Sequence, residues 1–248
     1  MPSVWAIGDI HGKLSMLETL LEALPRGEKD YTVFIGDYID RGEDSAGVVR
    51  RVLAEYDARP AQTVLLWGNH EDMAASYYGI PAPSNYTYDP YDWFANGGIA
   101  ALESFGMVKP DLFTAPCPTE LKRLFSLLKP YWKAPQYRFP EMVDYIWVHA
   151  GLKVGQLPED AGGDVLLWIR EEFLEAFDPS GRVVIHGHTP MKDVIRLPDK
   201  IGIDTGAVYG GKLSAVQLPE NQVFQVDQEG YVSRFPLPTL ETALSGRE

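Results

Sequence analysis

Val4-Trp5-Ala6-Ile7-Gly8-Asp9-Ile10-His11-Gly12 is the stretch that decides the fold. Four apolar residues in a row read as a buried strand, and a glycine ends it. An aspartate and a histidine two residues apart follow in the turn. Leu14, Leu17, Leu20, Leu21 and Leu24 then recur at helical spacing until Pro25 and Gly27 stop the helix. The same grammar repeats twice. Residues 31–35 form a second strand running into Gly36-Asp37, and Val48, Val49, Val52 and Leu53 mark the helix after it. Residues 63–67 form a third strand running into Gly68-Asn69. Strand–helix–strand units of this length imply parallel pairing with right-handed crossovers. In such sheets ligands gather at the carboxyl ends of the strands.

Two later strands behave alike. Residues 145–148 end in His149, and 183–185 end in His186-Gly187-His188. Five strand ends therefore deliver side chains able to bind a metal. Residues 76–98, rich in Tyr, Pro and Asn, break the rhythm, and helices around 99–105 and 120–128 follow. The expectation is an α/β chain folded as a single domain over 1–248, with a small, mostly helical cap inserted at about 76–133. From Arg196 onward, short alternating runs at 201–204, 212–218, 222–226 and 231–235 predict antiparallel strands closing a second sheet.

Composition narrows the function. With 22 basic and 35 acidic residues the formal net charge is −13, which opposes binding to nucleic acid and to anionic membranes. Two divalent cations would offset about four of those charges locally, so a phosphorylated substrate is not excluded. No apolar run approaches the roughly 20 residues of a membrane helix. Met1-Pro2-Ser3 leads straight into the first strand with no basic-then-apolar leader, so a cytoplasmic location is expected. Cys117 is the only cysteine, which leaves no internal disulfide.

Taken singly, each fragment has a bland explanation. Asp9-x-His11 is commonly a loop with a solvated aspartate. Asp37 and Asn69 could be helix caps, and His149 and His188 satisfied core histidines. The joint pattern reverses this, because four of the five histidines follow strands and sit beside glycines that let backbone approach a small bound group. Mixed imidazole, carboxylate and amide-oxygen donors suit Mn, Fe or Zn. A carboxylate such as Asp37 could bridge a pair of ions roughly 3.5–4 Å apart, the usual apparatus for in-line displacement at phosphorus.

In order, Gly8-Asp9-Ile10-His11-Gly12, Gly36-Asp37-Tyr38-Ile39-Asp40-Arg41-Gly42, Gly68-Asn69-His70-Glu71, His149-Ala150-Gly151 and Gly187-His188-Thr189-Pro190 resemble the motif set of the phosphoprotein phosphatase (PPP) metallophosphoesterases. The likeness is greatest to lambda-like bacterial serine/threonine phosphatases and spans roughly residues 5–218. It implies a calcineurin-like αββα sandwich of two sheets flanked by helices. Carried over by position, it implies that Asp9, His11 and Asp37 hold one divalent metal and that Asp37, Asn69, His149 and His188 hold the other. Manganese is the expected metal, with iron or zinc as alternates. His70 matches the general acid and Asp40 its carboxylate partner. Arg41 and, by the Leu167-Trp168-Ile169-Arg170 segment, Arg170 match phosphate clamps, and Tyr209 matches a tyrosine near the site. With Asn69, these three form the expected substrate-binding set. His186 is read as a strand-end residue behind the ligands. The implied reaction is attack by a metal-bridging hydroxide in line with the leaving group, which His70 protonates.

Two lookalikes are set aside. Cys117 and Arg123 have Cys-x5-Arg spacing, but no glycine lies between them and Glu120 would place a negative charge in the phosphate cradle. Gly206 to Lys212 fits Gly-x4-Gly-Lys, yet Leu213 replaces the metal-binding hydroxyl and a strand-like stretch follows. The expected partner is a phosphorylated protein or peptide, with neither nucleic acid nor membrane, and the expected state is a monomer. A symmetrical diadenosine tetraphosphate hydrolase on the same core is the alternative. Lys and Arg are absent between Arg59 and Lys109, which favours the protein substrate over a run of phosphates.

Overall fold

The computed structural model describes residues 2–107 and 116–238; residues 108–115 of the expected cap, and 239–248, lie outside the described residues. β1 (Val4–Ile7), β2 (Tyr31–Phe34) and β3 (Thr63–Leu65) are parallel neighbours. They are connected by α1 (Leu14–Ala23) and α2 (Ser45–Ala58), and α3 (Asn69–Tyr77) follows the third strand. The second sheet contains β4 (Tyr131–Lys133), β5 (Tyr145–Val148), β6 (Val183–His186), β7 (Ile195–Arg196) and β8 (Lys200–Gly202). Its order is β4-β5-β6-β8-β7, with β5, β6 and β8 parallel. β9 (Leu213–Leu218), β10 (Gln222–Val226) and β11 (Val232–Pro236) complete the first sheet, in the order β11-β10-β9-β1-β2-β3.

This corrects the expectation for the C-terminal strands. Of the four predicted runs only the first enters the second sheet, as β8, which runs parallel to β6 and antiparallel to β7. The three later strands extend the first sheet, β9 lying antiparallel to β1 with Val4 opposite Leu218 and Ile7 opposite Ala215. Alternation marks a hairpin but does not say which sheet edge receives it. The register decides by burial, since Val216 and Leu218 enter the same apolar layer as Val4 and Ala6.

That layer lies between the sheets. It contains Val4, Ala6, Val33 and Ile35 from one sheet and Trp147, Ile185 and Ile201 from the other. Trp5, Ile7, Ile146 and Val184 point the opposite way, into a larger cluster with helix residues such as Leu17, Leu20, Val49, Val52 and Leu167. Each central strand is thus buried on both faces, which is why it reads as an unbroken apolar run. The result is an αββα sandwich. Gly8 shows how tightly the sheets meet at their carboxyl ends, since a Cβ there would lie 2.6 Å from the Ile203 carbonyl oxygen. Among the described residues, no helix is long and apolar enough to cross a membrane.

Candidate metal centre

The loops leaving the strands are held in unusual backbone conformations. His11, Asp37, Asp40, Arg41 and His188 all have positive φ, between 45° and 74°. Such residues persist only where the surroundings over-determine them. Glu71, which is fully buried, supplies much of that determination. Its carboxylate accepts from the backbone N–H groups of Asp37 (2.8 Å), Tyr38 (2.9 Å), Ile39 (3.3 Å) and Gly68 (3.2 Å). The Asp37 carbonyl accepts from the amides of Ile10 and His11, tying the first loop to the second. His188 N–H donates to Asp9 Oδ2 at 3.0 Å and ties in the second sheet.

Side chains then converge. His11 Nδ1 faces the Ile39 carbonyl at 2.8 Å, and His149 Nδ1 faces the Ile35 carbonyl at 2.9 Å. A carbonyl only accepts, so each Nδ1 carries the proton and each Nε2 presents a lone pair. His149 Nε2 lies 3.0 Å from Asn69 Oδ1 and 3.5 Å from Asp37 Oδ1. His11 Nε2 lies 3.3 Å from Asp37 Oδ2. Acceptors therefore face acceptors in a buried site, which is unfavourable unless a cation lies among them. Asp9 Oδ1 is also buried without a hydrogen-bond partner among the described residues. The nitrogen and oxygen donor set and the orphaned oxygen fit divalent metal ions.

The donors form two tight groups that share Asp37. One is Asp37, His149 and His188, with Asn69 Oδ1 also 2.9 Å from His188 Nδ1. The other is His11, Asp37 and His70. Asp9, expected in the first metal's set, stands beside these groups, its Oδ2 accepting from His188 N–H and its Oδ1 left without a hydrogen-bond partner among the described residues. Burial and the neighbouring Asp204 and Asp37 push Asp9 well up. Burial draws His149 and His188 down, so both stay neutral and able to coordinate.

His70 Nδ1 lies 2.6 Å from Asp40 Oδ2, and both groups are buried. Burial pushes the pair toward neutrality, Asp40 up and His70 down. A cavity of about 170 Å³ opens above the cluster, lined by His11, Asp37, Asn69, His70 and His188 together with Arg41, Arg170, Pro190, Asp204 and Tyr209. Arg170 is aimed by its own Nη1, which donates to the His188 carbonyl (3.1 Å) and to Thr189 Oγ1 (3.2 Å). Arg41 Nη1 donates to His11 Nε2 at 2.7 Å, and its guanidinium lies 5.4 Å from the Tyr209 ring centre. Tyr209 is 62 % exposed at the rim. His186 lies behind the ligands, edge-on to Phe173 at 4.9 Å, and burial pushes it down to about 4.

Sequence reasoning missed two residues here. Asp204 lines the cavity at the end of β8, and the signal was present as one more apolar run ending in Asp and Gly. Glu71 was noticed only as a neighbour of His70; its work on four amides across two loops has no local signature. The lookalikes stay separate, since Cys117 is buried beside the helix Thr119–Leu127 and exposed Arg123 pairs with Asp57. After Lys212 the chain enters β9, not a helix.

Comparison with known proteins agrees with this geometry. Serine/threonine-protein phosphatase 1 of Salmonella typhimurium is 27 % identical over 87 % of this chain and 91 % of its own length. The asymmetrical bis(5'-nucleosyl)-tetraphosphatase PrpE of Bacillus velezensis is 26 % identical over 89 % and 91 %. Among solved structures, the cold-active protein-tyrosine phosphatase of a psychrophilic Shewanella shares the fold at a TM-score of 0.62. That match has 19 % identity and covers 96 % of this chain and 81 % of the other. The model of the calcineurin-like phosphoesterases matches residues 2–215, most of the chain. With its clustered His and Asp donors, the chain belongs to the calcineurin-like phosphoesterase family and is a hydrolytic metallophosphoesterase.

Proposed function

We propose that this enzyme is a protein phosphatase acting on phosphoserine and phosphothreonine. In this reading Asp9, His11 and Asp37 hold one divalent cation, and Asp37, Asn69, His149 and His188 hold the other. Bound there, the two cations would supply a nucleophile at neutral pH and draw charge from the phosphoryl oxygens. Arg41 and Arg170 would grip two of those oxygens, since guanidinium forks match phosphoryl geometry and stay charged at any working pH. Asn69 and Tyr209 would complete the contact surface.

His70 would protonate the leaving alkoxide, which is otherwise a poor leaving group. Burial draws its imidazole toward the neutral form. A bound phosphate dianion and the neighbouring Asp37 carboxylate act in the opposite sense, so substrate binding would bring the second proton onto Nε2. His70→Asn is expected to keep its metal and lose at least about two decades of kcat on a seryl phosphate. Near-wild-type turnover would overturn the assignment.

The observation that carries the monoester reading is the cavity lining. Arg41 and Arg170 are its cations, enough for one phosphoryl dianion but few for a chain of four phosphates. The second reading, a dinucleoside polyphosphate hydrolase, is favoured by the equally extensive match to PrpE. Exposed Tyr86, Tyr91 and Tyr209 would serve it as stacking surfaces for a base. Phosphoserine, phosphothreonine and phosphotyrosine peptides assayed beside diadenosine tetraphosphate on the manganese-loaded enzyme separate the two. A kcat/KM larger for the dinucleotide than for any peptide would sink the first.

A further inference from the structure

The inserted segment reaches the His70–Asp40 pair directly. Trp93 ends α4 (Pro90–Trp93) and is only 1 % exposed. Its indole Nε1 donates to Asp40 Oδ2 at 2.9 Å, the same oxygen that meets His70 Nδ1 at 2.6 Å. The other oxygen, Oδ1, is buried and without a hydrogen-bond partner among the described residues. Trp93 is thus a second donor that fixes which oxygen faces the imidazole. The indole is itself fixed, with ring centres of Tyr77 at 4.9 Å and Tyr78 at 6.0 Å. Gly98 packs so closely that a Cβ there would lie 2.6 Å from the indole ring.

The turn after Trp93 acts on the next residue of the loop. The Gly97 carbonyl accepts from Arg41 N–H at 3.4 Å, and a Cβ on Gly97 (φ 104°) would fall 2.6 Å from that nitrogen. Asp40 and Arg41 are consecutive left-handed residues, with φ of 74° and 65°, which the chain does not adopt without outside support. Ser45 Oγ accepts from the Asp40 N–H at 3.0 Å, and the inserted segment adds its share through the Asp40 side chain, 53 positions from Trp93, and the Arg41 amide.

We infer that Trp93 is a positioning residue for the hydrolytic reaction, holding Asp40 so that His70 is aimed at the leaving group. The inference rests on His70 being the general acid. Removing a donor to a buried carboxylate should weaken proton delivery, and the loss should scale with how much the leaving group needs the proton.

The test is Trp93→Phe, which keeps an aromatic ring but removes the N–H, compared with His70→Asn on two substrates. With a phosphoserine peptide, kcat of Trp93→Phe should fall about tenfold, the effect of losing one charge-assisted hydrogen bond. With p-nitrophenyl phosphate, whose leaving group needs little protonation, it should change by less than about twofold. His70→Asn should show the same split more strongly. If His70→Asn shows no split, the general-acid reading fails. If it does and Trp93→Phe affects both substrates equally, or neither, the positioning role fails. A second measurement needs neither that variant nor metal. In the chelator-treated, nitrogen-labelled protein, the Trp93 indole N–H should exchange slowly with solvent and shift on Asp40→Asn. Rapid exchange, or a resonance that Asp40→Asn leaves in place, overturns the proposal even if Trp93→Phe does not fold.

Discussion

The loops at the carboxyl ends of β1, β2 and β3 and the inserted segment at 76–107 meet at one site, yet they are held in opposite ways. The loops are pinned through their backbones, by a buried carboxylate that serves four amides and by carbonyls that serve their neighbours. The insert is pinned through its side chains. Tyr77, Tyr78, Trp93 and Phe94 pack ring against ring, and one buried carboxylate, Asp72, anchors what lies between. Asp72 Oδ2 accepts from the hydroxyls of Ser84 (2.6 Å) and Tyr88 (2.7 Å), and Oδ1 accepts from Ser84 N–H (3.3 Å). Backbone pinning fixes ligand geometry whatever the neighbouring side chains are. Side-chain pinning lets a variable surface be hung over a fixed centre. The comparison implies that the loops decide whether chemistry occurs, and the insert decides how well it is aimed.

The harshest way to break the comparison is at Asp37, which both donor groups share. Asp37→Ala should lose bound metal and activity together, with elemental analysis of the purified protein tracking turnover. A variant that keeps its full metal content would show that the two groups do not depend on this carboxylate. No substitution within the insert should have that effect, because its residues enter neither group.

A milder break is at the anchor of the insert. Tyr88 donates to Asp72 and its ring lies 5.9 Å from Trp168, which in turn stands edge-on to His188 at 6.1 Å. Tyr88→Phe keeps the ring and removes the donor to a buried carboxylate, so it should cost about 2 kcal/mol in urea unfolding. Metal content should stay unchanged while KM for a phosphopeptide rises more than kcat falls. Loss of metal in this variant would mean that insert and loops are one unit, not two.

The same contrast explains what the sequence disclosed. The parallel strands were legible because strands buried on both faces give unbroken apolar runs, and the ligands because each follows such a run beside a glycine. Asp40 and Arg41 stood in the second of these motifs. Trp93 did not stand out, since an indole used as a hydrogen-bond donor looks in sequence like any aromatic in a Tyr-rich segment. Asp72 looks in sequence like any acidic residue in the first turn of a helix, and only burial shows it as an anchor. The placement of β9, β10 and β11 was hidden for another reason. Their pattern specifies a partner with a matching apolar face, and both sheets offer one.

A region remote from both loops and insert sharpens the comparison, with the smallest expected effect. Glu55 on α2 is buried, paired with Arg26 Nη1 at 2.6 Å and Arg51 Nη2 at 2.7 Å. Burial alone would raise its carboxyl, but the two guanidiniums outweigh it and hold it below its ordinary value. A carboxyl whose folded pKa lies below its unfolded one stabilises the fold at neutral pH. That contribution is complete above the unfolded pKa of about 4.5 and is lost as pH falls through the folded value. Glu55→Gln should therefore lower unfolding free energy at pH 7 by about 1–2 kcal/mol. It should also flatten the decline that wild type shows below about pH 4.5. The difference between variant and wild type should shrink as the medium is acidified. Activity per folded molecule and the leaving-group dependence should not move, because this pair touches neither the pinned loops nor the insert. A variant as stable as wild type at pH 7 would mean that the two arginines find other partners. A changed leaving-group dependence would mean that the rear of the first sheet also aims the centre, and the division between loops and insert would no longer be enough to account for it.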